Sequence, residues 1–315
     1  MEDNRTTTYA NSIFEQPWWL DTVAENKWSE SVVKDGERVI ARLPYVLDGK
    51  KILNPPYTQT LGIWFSKELL EFERGNSQLH RQKDIIAELL SQLPKARNID
   101  IELDHSVRYI LPFRWHGFRI EPRFSYRIMN LKDYETVKSR IGKTVNKNVK
   151  AAQRNITVEE DSKDYECMLE LQCMTYARQN RKPPYPDEFT LKVMKNSVEN
   201  GAGRLMIAKD ESGIAHGAVF LLYDHNTCYY LLGGQNPDYK SDGSQNLLLV
   251  KAIEFASTVS DSFDFEGSMI EGVENFFRQF GGEQIVYYRV YRQSAIGDAL
   301  DALKPHVKKT LGYKI

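Results

Sequence analysis

Cysteine is scarce in this chain. Only Cys167, Cys173 and Cys228 occur in 315 residues, an odd set without paired spacing, which excludes a disulfide framework and implies a reduced, cytoplasmic setting. No apolar run approaches the roughly 20 residues that span a bilayer, although peripheral contact with a membrane surface needs none. The N-terminal stretch Met1-Glu-Asp-Asn-Arg-Thr-Thr-Thr has neither a basic region nor an apolar core, so no signal peptide is expected. An excess of charge is also missing. Lys plus Arg is 42 against Asp plus Glu 43, which selects neither an anionic nor a cationic partner. The six histidines are scattered without His-x-x-x-His spacing; His216 and His225 flank a strand and read as satisfied or exposed, and no metal site is expected.

What is present is organised around His216 to Tyr291. His216–Tyr223 and Thr227–Gly233 are apolar runs joined by the turn Asp224-His-Asn226, a β-hairpin pattern. A polar loop, Asn236 to Ser244, follows, with Ser244 placed to cap a helix over about Gln245 to Val259. That helix is apolar almost all round and should be buried. Phe263-Asp-Phe-Glu266 reads as a short strand, and Ser268-Met-Ile-Glu271 has capping-box spacing. Val273, Phe276, Phe277 and Phe280 then mark a helix ended by Gly281-Gly282, before a last strand, Gln284–Tyr291.

Earlier in the chain, Pro17 opens a helix carrying Trp18, Trp19, Leu20 and Val23, an aromatic cluster read as core. Asp35-Gly36 joins two strands. A helical stretch, 67–93, divides near Gly75-Asn76, and Ile99–Leu103 is a strand. Residues 138–154 hold Lys138, Arg140, Lys143, Lys147, Lys150 and Arg154 with no acidic residue. Ile141, Val145, Val149 and Ala152 keep one face apolar, so the segment predicts a basic amphipathic helix. A further helix, 165–179, leads to the Pro-rich loop Arg178–Pro186, then a helix, Asp187–Glu199, and a strand, Leu205–Lys209. The length suits two domains.

An internal echo links the two ends of this order. Asp100/Asp264, Glu102/Glu266, Phe113/Phe277, Arg114/Arg278 and Gly117/Gly281 are identities at one constant offset. Both copies run on into Tyr-Arg-aliphatic, Tyr126-Arg-Ile128 and Tyr288-Arg-Val290. The repeat predicts a diverged tandem duplication.

The order strand, strand, loop, helix, strand, helix, strand, with the helix end Phe276–Gly282, resembles the core of the GNAT acyltransferase superfamily. Two such units in tandem, joined by a basic helix and opening with Phe14-x-Gln-Pro-Trp-Trp-Leu20, resemble the FemAB-type family; Thr58–Gly62, Arg140–Ala151 and Phe263–Gly267 are further matching stretches. The resemblance implies an α/β (α+β) chain of two tandem GNAT-like units, each a mixed, mostly antiparallel sheet flanked by helices. The first would be 1–135, with the tail 294–315 packing back on it. The second would be 136–293 and would hold the donor and acceptor cleft. No segment is long enough for the paired helical arm with which some members engage tRNA.

The activity so implied is transfer of an acyl or aminoacyl group to an amine, with a peptidoglycan precursor or another small molecule as acceptor. A CoA-dependent N-acetyltransferase and a non-catalytic scaffold binding a nucleotide sugar or a protein stay open as alternatives. No permanently bound cofactor is expected; the donor would be aminoacyl-tRNA or acyl-CoA. For the donor loop the resemblance selects Lys240, Ser241, Gly243, Ser244 and Gln245, whose backbone N–H groups would meet phosphate at a helix N-terminus. Asp242 would set a negative charge beside it. Tyr176, Arg178, Arg181, Lys182 and Tyr185 would grip the acceptor. Strand alternation puts Asp264 and Glu266 on one face, and Glu266 would orient the amine or take its proton. The repeat offers another reading: Asp100 and Glu102 share the pattern of Asp264 and Glu266, which suggests a shared structural role such as pairing with Arg114 and Arg278.

Overall fold

The computed structural model describes residues 6–70, 76–267 and 269–293. They form two compact units, one holding the chain up to Arg123 and again from Tyr287, the other Phe124–Val286. Both changes of unit fall inside long strands. The expected return of the tail, 294–315, and the capping-box residue Ser268 lie outside the described residues.

In the first unit, α1 (Pro17–Ala24) begins with proline at the place where a missing N–H leaves nothing unpaired. Trp18, Trp19, Leu20 and Val23 are buried, and the Trp19 indole N–H donates to the Thr58 hydroxyl at 3.0 Å; the aromatic cluster is core. The hairpin β1 (Trp28–Asp35) and β2 (Arg38–Asp48) leads to β3 (Lys51–Leu53), β4 (Trp64–Phe65), α2 (Lys67–Leu70), α3 (Asn76–Gln92), β5 (Asn98–Leu103) and α4 (Leu111–Trp115). Alternation along β5 buries Ile99, Ile101 and Leu103.

Glu15 is buried among these apolar residues. Its carboxyl accepts from the Gly62 N–H at 2.9 Å and from the backbone and side-chain N–H of Asn11, both at 3.0 Å. Burial, with Asp104 nearby, nevertheless raises its pKa from 4.5 to about 7. A carboxyl raised in the native state contributes its stability below the unfolded pKa and loses it as pH rises through the folded one. This group alone should therefore withdraw about 3 kcal/mol as pH goes from 4.5 to 7. Urea midpoints across that window should decline more steeply for wild type than for Glu15→Gln. Parallel profiles would refute the assignment.

The chain enters the second unit along β6 (Arg119–Met129). There follow α5 (Tyr134–Arg140), α6 (Lys143–Ala152), β7 (Ile156–Ser162), α7 (Tyr165–Ala177), α8 (Asp187–Glu199), β8 (Gly203–Asp210), β9 (Ala215–Tyr223), β10 (Thr227–Gln235), α9 (Ser244–Val259), β11 (Ser262–Asp264) and α10 (Glu271–Phe277), before β12 (Glu283–Gln293). The sheet order is β6-β11-β10-β9-β8-β7. Only the β10/β11 pairing is parallel. Leu247, Leu248, Leu249 and Ile253 of α9 are buried with Met206, Val219 and Leu221 of the sheet, each such side chain contributing about 1.5–3 kcal/mol of burial.

Three local expectations are corrected here. The basic helix is two helices, broken at Gly142, whose N–H donates to the Gln279 carbonyl at 2.8 Å and whose Cβ would lie 3.1 Å from that oxygen. Its buried face, Ile141, Val145, Val149 and Ala152, is as expected. The helix α9 is not capped by the Ser244 side chain, since Gly243 at φ +84° occupies the N-cap and the Ser244 hydroxyl is buried without a partner. Strand β11 ends at Asp264, two residues short of Glu266. Glu266 and Gly267 turn the chain at φ +58° and +67°, and a Cβ at Gly267 would overlap the Phe124 carbonyl oxygen.

The echo has a structural counterpart in each unit. β5 runs parallel to β3, and β11 parallel to β10. The short helix after each carries a buried phenylalanine, Phe113 or Phe277. Each helical stretch closes on a left-handed glycine, Gly117 or Gly281, both at φ +81°. The aspartates do pair with arginine, but not with Arg114 and Arg278. Asp100 accepts from Arg289 Nε at 2.7 Å and Nη2 at 2.6 Å, and Asp264 from Arg127 Nε at 2.9 Å and Nη2 at 2.7 Å. The partners are the arginines of the two Tyr-Arg-aliphatic strands, exchanged. The strand that follows the first copy completes the sheet of the second unit, and the strand that follows the second copy completes the first.

Candidate functional site

The site is built where β10 ends. Gly233 and Gly234 are both demanded by close neighbours: a Cβ on Gly233 would overlap the Tyr230 hydroxyl, and one on Gly234 would lie 2.7 Å from backbone atoms of Leu171 and Gln172 in α7. The Gln235 N–H donates to Thr175 Oγ1 at 2.8 Å, tying the end of α7 to the strand. Between Tyr230 and Leu232 the register against β9 slips, a bulge of the kind that re-aims side chains.

The loop that follows is held from within. Asn236 accepts from the Asp238 N–H at 3.1 Å, and Asp242 Oδ1 accepts from the Ser244 N–H at 2.8 Å. Asp242 thus occupies one orphan donor of the helix terminus, the task the sequence had given to Ser244. Its other oxygen faces His216 Nδ1 at 2.5 Å. Gly243 is pressed against α6, its Cβ position lying 2.5 Å from the Asn148 carbonyl oxygen. Asn148 Nδ2 donates to Asn246 Oδ1 at 3.1 Å.

These elements surround a cavity of about 350 Å³. Lys240 and Gly243 line it from the loop, Gln245 from the first turn of α9, Thr175 and Arg178 from the last turn and C-cap of α7, and Tyr230 from β10; Val273, Phe276 and Phe277 make its apolar side. Gln245 Nε2 donates to the Tyr230 hydroxyl oxygen at 3.3 Å, while Gln245 Oε1 is buried without a partner. Burial pushes the Tyr230 pKa up to about 12, against the smaller opposing effect of the Gln245 hydrogen bond. Among the described residues, no carboxylate or imidazole lines this cavity.

The structure therefore brings Lys240, Gly243, Gln245 and Arg178 together. Ser241 in the loop and Ser244 at the start of α9 do not belong to the cavity wall, and Tyr176 is also outside it. Arg181, Lys182 and Tyr185 line a second hollow of about 650 Å³ with Cys173 and Asp187. Asp264 and Glu266 line neither. Asp264 is saturated, accepting from Ser125, Arg127 and the Glu266 N–H. The Glu266 Oε1 atom is buried without a partner, and burial, then Asp264, drive its pKa well up. Glu266 lies outside both hollows, so the amine-orienting or proton-accepting role read from the sequence has no counterpart in their lining. Tyr230 and Thr175 were missed; the glycine pair that makes room for the one and brings the other close was their only trace.

Among the described residues no three His, Cys, Asp or Glu side chains are grouped to hold a metal ion, and no helix is long and apolar enough to cross a membrane.

Residues 137–278 match the family described as the Acetyltransferase (GNAT) domain. No curated protein matches the chain. Among solved structures, FemX superposes with a TM-score of 0.63 at 15% identity, over 88% of this chain and 91% of that one. The C-terminal domain of a protein named as a lysylphosphatidylglycerol synthetase, from Agrobacterium fabrum, gives 0.56 at 12% identity over 90% and 88%. A tandem GNAT protein from the clavulanic acid biosynthesis pathway gives 0.51 at 9% identity over 84% and 83%. Residues 137–278 thus match a GNAT acetyltransferase domain, as the order of the strands and helices implied, and the chain has the fold of FemX.

Proposed function

We propose that the cavity at the end of β10 transfers an acyl or aminoacyl group from a phosphate-bearing donor to an amine. One observation carries this: the loop predicted to hold the donor and Arg178, predicted to hold the acceptor, line the same cavity. Donor phosphate would lie against the first turn of α9, where the N–H groups of Gln245 and Asn246 have no intrahelical acceptor. Lys240 and Arg178 add positive charge there. The Tyr230 oxygen accepts from Gln245, which leaves the phenol proton for an oxyanion or leaving group in the cavity. Its raised pKa keeps that proton in place at neutral pH.

The acceptor amine must arrive neutral, because among the described residues no carboxylate or imidazole lines the cavity to deprotonate it. The rate should then rise with pH along the ionisation of the acceptor itself. Arg181, Lys182 and Tyr185, in the neighbouring hollow on α7, suit an anionic portion of that acceptor, as a peptidoglycan precursor would offer. The CoA-thioester reading of the donor gains from one feature: Asp242, the charge that argued against a bound pyrophosphate, is turned to His216 and does not line the cavity. Aminoacyl-tRNA is the other donor of the required chemistry.

The test is to incubate the full chain with acetyl-CoA or aminoacyl-tRNA and a set of amine acceptors. Turnover with one donor class is expected. Tyr230→Phe should lower kcat roughly 10²-fold, the effect of one lost oxyanion donor. No turnover and no binding of either donor would reject the reading.

A further inference from the structure

His216 lies beside the donor loop and is not needed by the chemistry described so far. Its side chain is only 7% exposed, and each ring nitrogen faces a carboxylate oxygen. Nδ1 lies 2.5 Å from Asp242 Oδ2, and Nε2 lies 3.3 Å from Asp210 Oδ2. The ring stacks on Tyr239 at 3.7 Å between centroids and 15° between planes. A neutral imidazole has one N–H, so only the imidazolium donates to both carboxylates. Asp210 is otherwise occupied by the N–H groups of Ser212 and Ile214. Asp242 uses its second oxygen on Ser244, the first residue of α9.

The location gives this arrangement its meaning. Asp242 lies between Lys240 and Gly243, which line the cavity, yet does not line it itself. Left uncompensated, its negative charge would face any phosphate placed at the α9 terminus, and a unit charge a few ångströms away weighs heavily where solvent is partly excluded. The sequence alone made Asp242 look like an obstacle to a phosphate ligand. His216, twenty-six positions earlier in the chain, is the group that removes the obstacle.

We propose that His216 is a positioning residue for the donor. As imidazolium it draws the Asp242 carboxylate away from the cavity and cancels its charge, so that the loop accepts a phosphate-bearing ligand. This rests on the donor-loop reading above and adds to it a residue that sets which charge the loop presents.

The test is a double-mutant cycle on the full chain, read by isothermal titration with coenzyme A and with uncharged tRNA, each competed by inorganic pyrophosphate. His216→Gln keeps a polar side chain but loses the charge, and binding of the phosphate ligand should weaken roughly tenfold. Asp242→Asn retains an oxygen for the Ser244 N–H and should bind at least as tightly as wild type. The double variant should regain the affinity of Asp242→Asn, because the charge that His216 neutralises is gone. Which ligand responds distinguishes a CoA from an RNA source.

A merely structural role predicts another pattern: both single variants weaken and the double is no better. That result overturns the inference, as does unchanged affinity in His216→Gln. Melting curves of all four proteins, with His216→Asn as a second neutral variant, show whether a loss of binding follows from a loss of fold. If wild type binds coenzyme A and tRNA no better than buffer, the donor-loop reading fails and this inference fails with it. If wild type binds and the cycle shows no coupling, only this inference fails.

Discussion

Replacing Arg127 with methionine is expected to lower the unfolding free energy by about 3–5 kcal/mol, the loss seen when one member of a buried ion pair is removed. The side chains of Arg127 and Asp264 are 8% and 2% exposed. The carboxylate of Asp264 is met by two guanidinium nitrogens, the Ser125 hydroxyl and the Glu266 N–H. Without the guanidinium a charge stays behind in the core with only neutral donors, beside Glu266, whose own pKa burial and Asp264 raise. Arg127→Met combined with Asp264→Asn should recover most of the loss, since neutral groups of similar size replace the pair. Arg127→Lys should fall between, because one ammonium cannot reproduce the two-nitrogen grip. Urea unfolding of the four proteins decides the matter. A loss under about 1 kcal/mol for Arg127→Met would mean the pair behaves as an exposed one.

Gly243→Ala should abolish donor binding more completely than any charge change in the loop. Gly243 sits at φ +84°, in the left-handed region, and an added Cβ would lie 2.5 Å from the carbonyl oxygen of Asn148. That oxygen is backbone of α6 and cannot swing aside. The strain of a non-glycine residue there is about 1–2 kcal/mol, and the clash adds to it. Relief requires the loop to lift from α6, which carries Lys240 and the first turn of α9 out of register with Arg178. A shift of about 1 Å in a positioned group reduces rates by roughly 10², so kcat/KM for the phosphate-bearing donor should fall at least that far. Stability should fall much less, because the sheet and α9 keep their core. Equal losses of stability and activity would show that the loop is part of the fold's foundation rather than a ligand seat.

Much of this architecture was legible in the residues. The hairpin β9–β10, the buried helix α9 and the aromatic stretch of α10 all follow from apolar periodicity and from turn residues between runs. The loop between β10 and α9 was legible through its polar run and its central glycine. What failed was decided by tertiary neighbours. Alternation carried the reading of β11 as far as Glu266, but the close passage of Phe124 past Gly267 turns the chain at Asp264. The basic segment looked continuous because Gly142 is a weak breaker by itself; the hydrogen bond to Gln279 makes it a break. Ser244 has the composition of a cap, yet Asp242 reaches the same N–H group. Tyr230 carries no pattern that separates it from Tyr229, and only a bulge distinguishes them.

The aspartate–arginine exchange is the most instructive case. The repeat correctly singled out Asp100 and Asp264 as equivalent, and sequence proximity then suggested Arg114 and Arg278 as partners. Both aspartates instead reach arginines on the long strand that continues from the opposite copy, Arg289 and Arg127. No local signal distinguishes an arginine that points inward from one on a helix surface. The Tyr-Arg-aliphatic match was the trace of it, because apolar residues on either side of an arginine in a strand place it on the face opposite to them.

That exchange restricts how the gene can be dissected. A fragment ending near residue 135 would contain the first copy of the repeat yet lack the strand bearing Arg289, leaving β5 with an open edge and Asp100 unmatched. The span 124–286 carries every strand of its own sheet. Deletions that reach back past Tyr287 would therefore be felt first far away in the chain, at β5, a strand translated long before.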